Sequence, residues 1–167
     1  LLALGIFTIN ASFDFKDKTL IKIQVGKVNE VGTKTGYINL KGDTVVPFSK
    51  YQHCYSDTIK NFGIVRNLEG ILIGIDYRER VLFEIFELDN GPDYISEGLF
   101  RIIKNGKIGF ADELGNVVIA PQFNCALPFK NGKSKVSKSC IFHQEDEHTY
   151  MEFKDYFFIN ERGEIVE

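Results

Sequence analysis

The chain has 167 residues, a formal net charge of −3 and 44% hydrophobic residues, including 15 Phe and 7 Tyr. This length suits one domain with a substantial core, and the hydrophobic content excludes an intrinsically disordered chain. Lys and Arg form no stripe along the sequence, so the chain lacks the basic patch that is typical of nucleic-acid-binding proteins.

The first nine residues form the longest apolar run, and they have two interpretations. They are the end of a secretory signal peptide with cleavage near Ala11, or a buried strand of a preceding repeat. The strand is favoured because Phe13 and Phe15 already fit the repeat described next. The run is shorter than the roughly 18 residues of a membrane-spanning helix, so no membrane span is predicted.

An internal repeat follows along the chain. Residues 36–43, 109–116 and 157–164 each place a glycine six positions after their first residue, and two or three apolar residues come next. A weaker copy covers residues 74–80. Because repeated segments of this kind define the fold of the whole chain, they take precedence over local patterns.

A second landmark confirms the period of the repeat. Ile59, Tyr94 and Phe129 begin similar segments and are 35 residues apart, and Gly74 and Gly109 are separated by the same interval. Two landmarks with one period indicate tandem units, and the longer gaps elsewhere indicate insertions.

One unit can be divided into strands. Residues 99–104 form a β-branched and aromatic run, and Asn105 with Gly106 is a strong hairpin signal. Residues 107–112 alternate between apolar and polar positions, and residues 117–119 form a third short strand. Pro121 is expected to end that strand, because proline cannot donate to a sheet ladder.

The sequence therefore predicts an all-β fold of tandem β-meander or hairpin repeats of about 35 residues, stacked as an open twisted or propeller-like array. A long hairpin is favoured over a helix within residues 133–162, where Gly and Pro are absent. The single repeat domain spans 1–167, with approximate units 1–34 (partial), 35–66, 67–103, 104–137 and 138–167.

The segments GKIGFAD at 106–112, TGYIN at 35–39 and SEGL at 96–99 resemble the repeat of the bacterial WG-repeat family. The resemblance covers about residues 12–167. The family's tryptophan is missing, and its positions are occupied by Thr35, Ile73, Ile108 and Tyr156. The resemblance implies repeated β structure, an exported or cell-surface location, and no catalytic residues.

Residues 140–148 contain the side chains that are most typical of a metal site or an active site. Cys140, His143 and His148 are potential zinc ligands, but their spacing matches no standard zinc site, and a solvated hairpin tip is the favoured interpretation. The three cysteines, Cys54, Cys125 and Cys140, form either one disulfide and one thiol or three thiols. His53 and Cys54 are adjacent and point to opposite faces of a strand, which disfavours a nucleophile–base pair.

One repeated polar position has two interpretations. Asp76, Asp112, Asn160 and the earlier Asn39 occupy equivalent places in the copies. They form a row of ligand-binding groups, or each side chain bonds to the backbone of its own turn. Turn chemistry is favoured, because Asp and Asn commonly make such bonds.

The sequence contains no phosphate-binding loop, zinc-protease helix or serine-elbow pattern. We therefore predict a non-enzymatic scaffold or binding module for a protein or glycan partner, without a cofactor and without nucleic acid. Tyr51, Tyr55 and Tyr77 are candidate ligand-binding aromatics. The alternatives are a metal-dependent or thiol enzyme that uses residues 140–148, and a structural spacer in a longer repeat array.

Overall fold

The computed structural model describes residues 18–26, 33–88, 91–145 and 148–167, and every regular element within them is a β-strand. The first group comprises β1 (Leu20–Val25), β2 (Lys34–Asn39), β3 (Thr44–Val46), β4 (His53–Cys54) and β5 (Thr58–Ile59). β1 and β2 pair antiparallel along their whole length. The apolar run at residues 1–9 lies outside the described residues.

The next two groups are three-stranded meanders. The second group comprises β6 (Gly63–Arg66), β7 (Leu72–Ile75) and β8 (Val81–Ile85), followed by the short pair β9 (Glu87–Leu88) and β10 (Gly91–Pro92). The third comprises β11 (Leu99–Lys104), β12 (Lys107–Asp112) and β13 (Val117–Phe123), followed by β14 (Cys125–Ala126). The predicted β11–β12 hairpin is confirmed, because Asn105 and Gly106 both have positive φ at its turn.

The last group contains an inserted hairpin. Its strands are β15 (Ser134–Ser137), β16 (Ser139–Glu145), β17 (His148–Lys154), β18 (Phe157–Ile159) and β19 (Ile165–Val166). β16 pairs antiparallel with β17, from Ser139 opposite Lys154 to Glu145 opposite His148. The prediction of a long hairpin in place of a helix is confirmed.

The strands assemble into antiparallel sheets that connect the groups. A seven-stranded sheet has the order β13-β12-β11-β8-β7-β6-β4, so the second and third meanders share one sheet. β1, β2, β3 and β5 of the first group form the sheet β3-β2-β1-β5, whereas β4 pairs with β6 at the edge of the seven-stranded sheet. β14 joins three strands of the last group in the sheet β14-β15-β18-β19. The predicted all-β repeat architecture is confirmed, and within the described residues no sheet closes on itself.

Among the described residues, buried side chains form three apolar clusters, two of which lie between neighbouring groups. One lies between the first and second groups around Tyr37 and Val65. Another joins the third and last groups around Phe110 and Phe129. The third covers the seven-stranded sheet around Phe83. Each meander therefore buries its apolar face against a neighbour, as stacked repeats require.

The prediction that Pro121 ends the third strand of its unit is wrong. β13 continues to Phe123, which lies opposite Ile108, and the β12–β13 register shifts between Ile108 and Phe110. β13 is also an edge strand of the seven-stranded sheet. Edge strands and bulges are among the places where a sheet tolerates proline, and Pro121 lies at both.

No helix in the described ranges is long and apolar enough to cross a membrane.

A candidate binding pocket around Tyr77

The repeated Asp or Asn position organises the turn between the second and third strands of each meander. In every copy the side-chain Oδ1 accepts hydrogen bonds from the backbone N–H groups two and four residues later, at 2.8–3.0 Å. The four residues are Asn39, Asp76, Asp112 and Asn160. These bonds confirm the turn interpretation of the row.

The side chain four positions later completes each turn. Where the first residue is Asp, the later side chain donates to its Oδ2; where the first residue is Asn, its Nδ2 donates to a later carboxylate. The pairs are Asn39–Asp43, Asp76–Arg80, Asp112–Asn116 and Asn160–Glu164, at 2.7–3.0 Å. Both oxygens of Asp76 and of Asp112 therefore accept hydrogen bonds within the turn.

Hydrogen bonding controls the pKa of these two aspartates. Burial by itself raises the pKa of Asp76, but the backbone and side-chain hydrogen bonds from Arg80 outweigh it and hold the pKa below its usual value. The pKa of Asp112 is lowered in the same way, chiefly by the bonds from Asn116 that outweigh desolvation. Both residues are therefore ionised at neutral pH and are unsuited to donate a proton.

A pocket of about 380 Å³ opens beside two of these turns. Its walls come from the turn after β7, with Asp76, Tyr77 and Arg80, and from residues 114–116 of the turn after β12. Leu82, Lys18 and residues 60–61 complete the lining. The volume lies in the range of about 300–1,000 Å³ that is usual for small-ligand sites.

Tyr77 forms the aromatic wall of this pocket. Its side chain is half-buried and packs against the apolar cluster around Tyr37. Lys18 Nζ lies 5.5 Å from the centroid of the ring, and Arg78 Cζ lies 5.2 Å from it. Both distances are within the range of cation–π attraction, so packing and charge together fix the position of the ring.

The lining of the pocket contains four charged side chains, those of Lys18, Lys60, Asp76 and Arg80. Arg80 and Asp76 form an ion pair at 2.7 Å and neutralise each other. Lys60 has no ion-pair partner among the residues that the structure describes. Glu113 is the nearby acidic group, and it lines an adjoining hollow of about 170 Å³ that also contains Lys60.

The other two predicted binding tyrosines do not reach this pocket. Tyr51 is only 9% exposed and belongs to the apolar cluster around Tyr37. Tyr55 is half-buried, and its hydroxyl oxygen accepts hydrogen bonds from Arg66 Nε and Nη2, both at 3.2 Å.

The segment 140–148 does not present a thiol. Cys140 forms a disulfide with Cys125, with their Cα atoms 6.0 Å apart. His143 Nε2 hydrogen-bonds Glu152 Oε2 at 2.7 Å, and its ring stacks on Tyr150. His148 lies in β17, but its side chain is outside the described part. Among the described residues, no group of three His, Cys, Asp or Glu side chains is arranged to hold a metal ion.

Cys54 is the thiol that accompanies this disulfide. It is fully buried, and its backbone N–H donates to Thr35 Oγ1 at 3.1 Å. Burial raises the pKa of the Cys54 thiol, which keeps it protonated at neutral pH. A buried, protonated thiol is chemically inert.

The sequence analysis missed a buried ion pair. Arg101 Nη2 lies 2.6 Å from Asp93 Oδ1, and each side chain is at most 2% exposed. Arg101 also donates to the carbonyl oxygen of Ala126 at 3.1 Å, and its Cζ lies 4.0 Å from the centroid of the Phe86 ring. The available signal was an arginine inside an apolar strand, because such a charge needs a buried partner.

The profile of the WG containing repeat matches residues 36–68 and 108–139. These two segments of the chain are therefore similar to the WG repeat. No curated protein and no solved structure matches the chain. Each matched WG repeat starts at the middle strand of one meander and ends at or just after the first strand of the next.

The WG positions have a clear structural role in this chain. A Cβ atom on Gly36 would lie 2.4 Å from the carbonyl oxygen of Val46, and one on Gly109 would lie 2.4 Å from that of Ile119. The third strand therefore crosses directly over the WG glycine. At the preceding tryptophan positions, Thr35 and Ile108 are buried, so smaller side chains fill that part of the core.

Proposed function

We propose that this WG-repeat chain is a non-enzymatic binding module that takes a glycan in the pocket around Tyr77. The observation that carries the proposal is a half-buried tyrosine ring, held by packing, at the wall of a pocket of about 380 Å³. An aromatic ring offers an apolar surface to the C–H face of a sugar and a hydroxyl at its edge.

The remaining walls suit the same ligand. Leu82 and Leu114 extend the apolar surface, and both are exposed to solvent. Asn61 supplies an amide, and Asn116, whose Nδ2 donates to Asp112, keeps its Oδ1 as an acceptor. A few polar groups placed around an apolar surface are characteristic of sites that orient a small polar ligand.

The groups that a hydrolytic or thiol reaction needs are engaged elsewhere. The carboxylate of Asp76 accepts hydrogen bonds from its own turn and from Arg80. Cys54 is buried, and Cys140 is oxidised. These engagements favour binding over catalysis. The Cys125–Cys140 disulfide also supports an oxidising compartment, in line with the exported or cell-surface location that the WG resemblance implies.

An array of immobilised glycans tests this function with the wild-type protein and the variants Tyr77→Ala and Tyr94→Ala. Tyr94 is 54% exposed and lies outside the pocket lining, so it is the matched aromatic control. We expect the wild type and Tyr94→Ala to bind the same glycans, and Tyr77→Ala to lose at least tenfold in affinity while its circular dichroism spectrum is unchanged.

Two results would contradict the proposal. If no glycan is retained by the wild type, a protein partner becomes the better hypothesis. If Tyr77→Ala binds as well as the wild type, the pocket is not the site.

A further inference from the structure

We propose that copies of this chain associate head to tail, the last group of one copy packing on the first group of another. The contact repeats one that the chain makes twice between its own groups. It is independent of the pocket around Tyr77. The argument starts from the middle strand of each meander, whose two sides face different neighbours.

Two internal junctions show how neighbouring groups pack. Tyr37 of the first group is buried in one cluster with Ile75 of the second. Phe110 of the third group is buried in one cluster with Ile159 of the last. Each aromatic residue stands two positions before the repeated Asp or Asn of its turn, and each isoleucine stands one position before it. An aromatic ring of the earlier group thus packs with an isoleucine of the later group.

The last group presents the aromatic position of this pattern to solvent. Phe158 stands two positions before Asn160 and is 37% exposed, whereas Tyr37 and Phe110 at the equivalent positions are at most 1% exposed. Tyr156, two residues earlier in the chain, is also exposed, and the centroids of its ring and the Phe158 ring are 5.9 Å apart. These two rings form the tail face.

The first group presents the isoleucine position of the pattern. Ile38 directly precedes the Asn of its turn and lies opposite Ile21 in the β1–β2 pair. Ile23 and Val25 follow on the same side of β1, because alternate residues of a strand share a face. Ile21 and Val25 are exposed, and Ile23 and Ile38 are half-buried. These four side chains form the head face, on the opposite side of β2 from the buried Tyr37.

A basic residue beside the tail face matches the internal junctions. Lys135 lies opposite Phe158 in the β15–β18 pair. Lys22 and Arg101 lie in the same way opposite the buried aromatic residues of the two junctions. Lys135 Nζ is 3.8 Å from the centroid of the Tyr156 ring, which gives the ammonium group a partner at this face. The basic residue is therefore compatible with packing of another group.

A second copy of the chain supplies the head face that this tail face fits. Both faces are apolar, so their contact removes apolar surface from water as the internal clusters do. The two faces are different surfaces, so the contact is heterologous. Each associated pair keeps one head face and one tail face unused, and further copies add to them.

Sedimentation velocity of the wild type at about 1 µM to 1 mM tests the proposal, because this range spans the affinities of weak interfaces. We expect the weight-average mass to rise with concentration from 19.0 kDa to more than twice that value. Phe158→Asp and Val25→Asp each place a charge on one face, and each variant alone should stay monomeric. Leu68→Asp is the matched control, since Leu68 is exposed and outside both faces; it should associate as the wild type does.

An equimolar mixture of Phe158→Asp and Val25→Asp tests the orientation. The first variant keeps its head face and the second keeps its tail face, so the mixture should form a species of two copies and nothing larger. Both variants should keep the circular dichroism spectrum of the wild type. Tyr156→Ser takes the place of Phe158→Asp if that variant does not fold.

Three results would overturn the proposal. A wild type that stays monomeric over the whole range does not self-associate. Association of Val25→Asp equal to that of the wild type assigns the contact to two tail faces or to another surface. A mixture of the two variants that stays monomeric while the wild type associates rules out the head-to-tail arrangement.

Discussion

Two glycines in the segments that match the WG repeat have no room for a side chain. Gly36 and Gly109 both lie beneath the third strand of their meander, where a methyl group would approach a carbonyl oxygen to 2.4 Å. The obstacle is backbone, which cannot rotate away as a side chain does. Glycine is therefore required at these two positions by the close approach of two strands and not by a positive φ angle.

Gly109→Ala should lower the free energy of unfolding by about 1–3 kcal/mol, because the added methyl group has to displace the bulged part of β13. Urea denaturation followed by circular dichroism measures this change. Gly91→Ala is the matched control, since the nearest atom to its Cβ, the carbonyl oxygen of Leu88, is 3.8 Å away. Equal stability of Gly109→Ala and the wild type would contradict the close-approach explanation.

In each turn, one of the two paired side chains donates a hydrogen bond and the other accepts it. Asp112 accepts from Asn116, while Asn39 and Asn160 donate to carboxylates four residues later. The first residue is thus free to be Asp or Asn, provided that its partner has the opposite hydrogen-bonding character. Sequence comparison at the first position alone does not reveal this dependence.

An exchange of the two side chains tests the rule. Asp112→Asn places two amide donors together, Asn116→Asp places two carboxylates together, and the double variant restores the arrangement at Asn39. We expect each single variant to be destabilised by about 0.5–1 kcal/mol and the double variant to recover most of that loss. Additive losses in the double-mutant cycle would show that the two side chains do not interact.

At the scale of elements, the inserted hairpin β16–β17 is fastened at its base. Cys140 at the start of β16 is bonded to Cys125 in β14. Ser137 Oγ lies within hydrogen-bond distance of the carbonyl oxygens of Ser139 and Lys154, the two residues at the base of the hairpin, and its single O–H donates to one of them. The hairpin pairs as a separate two-stranded sheet. Isolated two-stranded hairpins are marginally stable, so these attachments hold it in place.

Removal of the disulfide should lower the free energy of unfolding by about 3 kcal/mol, as the chain-entropy model gives for a loop of 15 residues. The double variant Cys125→Ala, Cys140→Ala measures it in urea. Thiol titration of the unreduced wild type under denaturing conditions should detect one thiol, from Cys54. Detection of three thiols would contradict the disulfide.

At the scale of the whole molecule, the boundaries of the matched sequence repeats do not coincide with the boundaries of the meanders. The WG match at 108–139 contains β12, β13, β14 and β15, and so joins part of one meander to the first strand of the next. Side chains also bridge adjacent units: the carboxylate of Glu97 accepts from the backbone N–H groups of Asn131 and Gly132. Because a matched segment contains parts of two successive meanders, it links each meander covalently to the unit on which that meander packs.

The buried Asp93–Arg101 pair is part of this connection between units, because Arg101 in β11 also bonds Ala126 in β14, a strand that pairs in the sheet of the last group. Asp93→Asn should destabilise the protein by about 3–5 kcal/mol, since it leaves the arginine charge buried without compensation. The double variant Asp93→Leu, Arg101→Met should be markedly more stable than Asp93→Asn.

Asp57→Asn is the control for this pair. Asp57 pairs with Lys22 at 2.5 Å on the surface, where its side chain is 89% exposed. This substitution should leave the unfolding midpoint near that of the wild type. A similar loss for Asp57→Asn and Asp93→Asn would show that burial of the pair is unimportant.

Much of the fold could be predicted from the sequence, because it depends on turn residues and repeated segments that can be recognised locally along the chain. Positive-φ turn residues such as Asn105 and Gly106 defined a hairpin, and the period of 35 residues identified the repeat. The turn function of Asp76 and Asp112 also followed from local chemistry, since the groups that they bond are within four residues. The all-β repeat architecture needed no information from distant parts of the chain.

The tertiary structure alone decided what depends on distant residues. The sequence named Tyr77 together with Tyr51 and Tyr55, but only packing placed Tyr51 in the core and Tyr77 at a pocket with Lys18 and Lys60. The choice of Cys125 and Cys140 as disulfide partners and the continuation of β13 through Pro121 are of the same kind. Each depends on which strands and turns become neighbours when the units stack, and a local pattern along the chain does not contain that information.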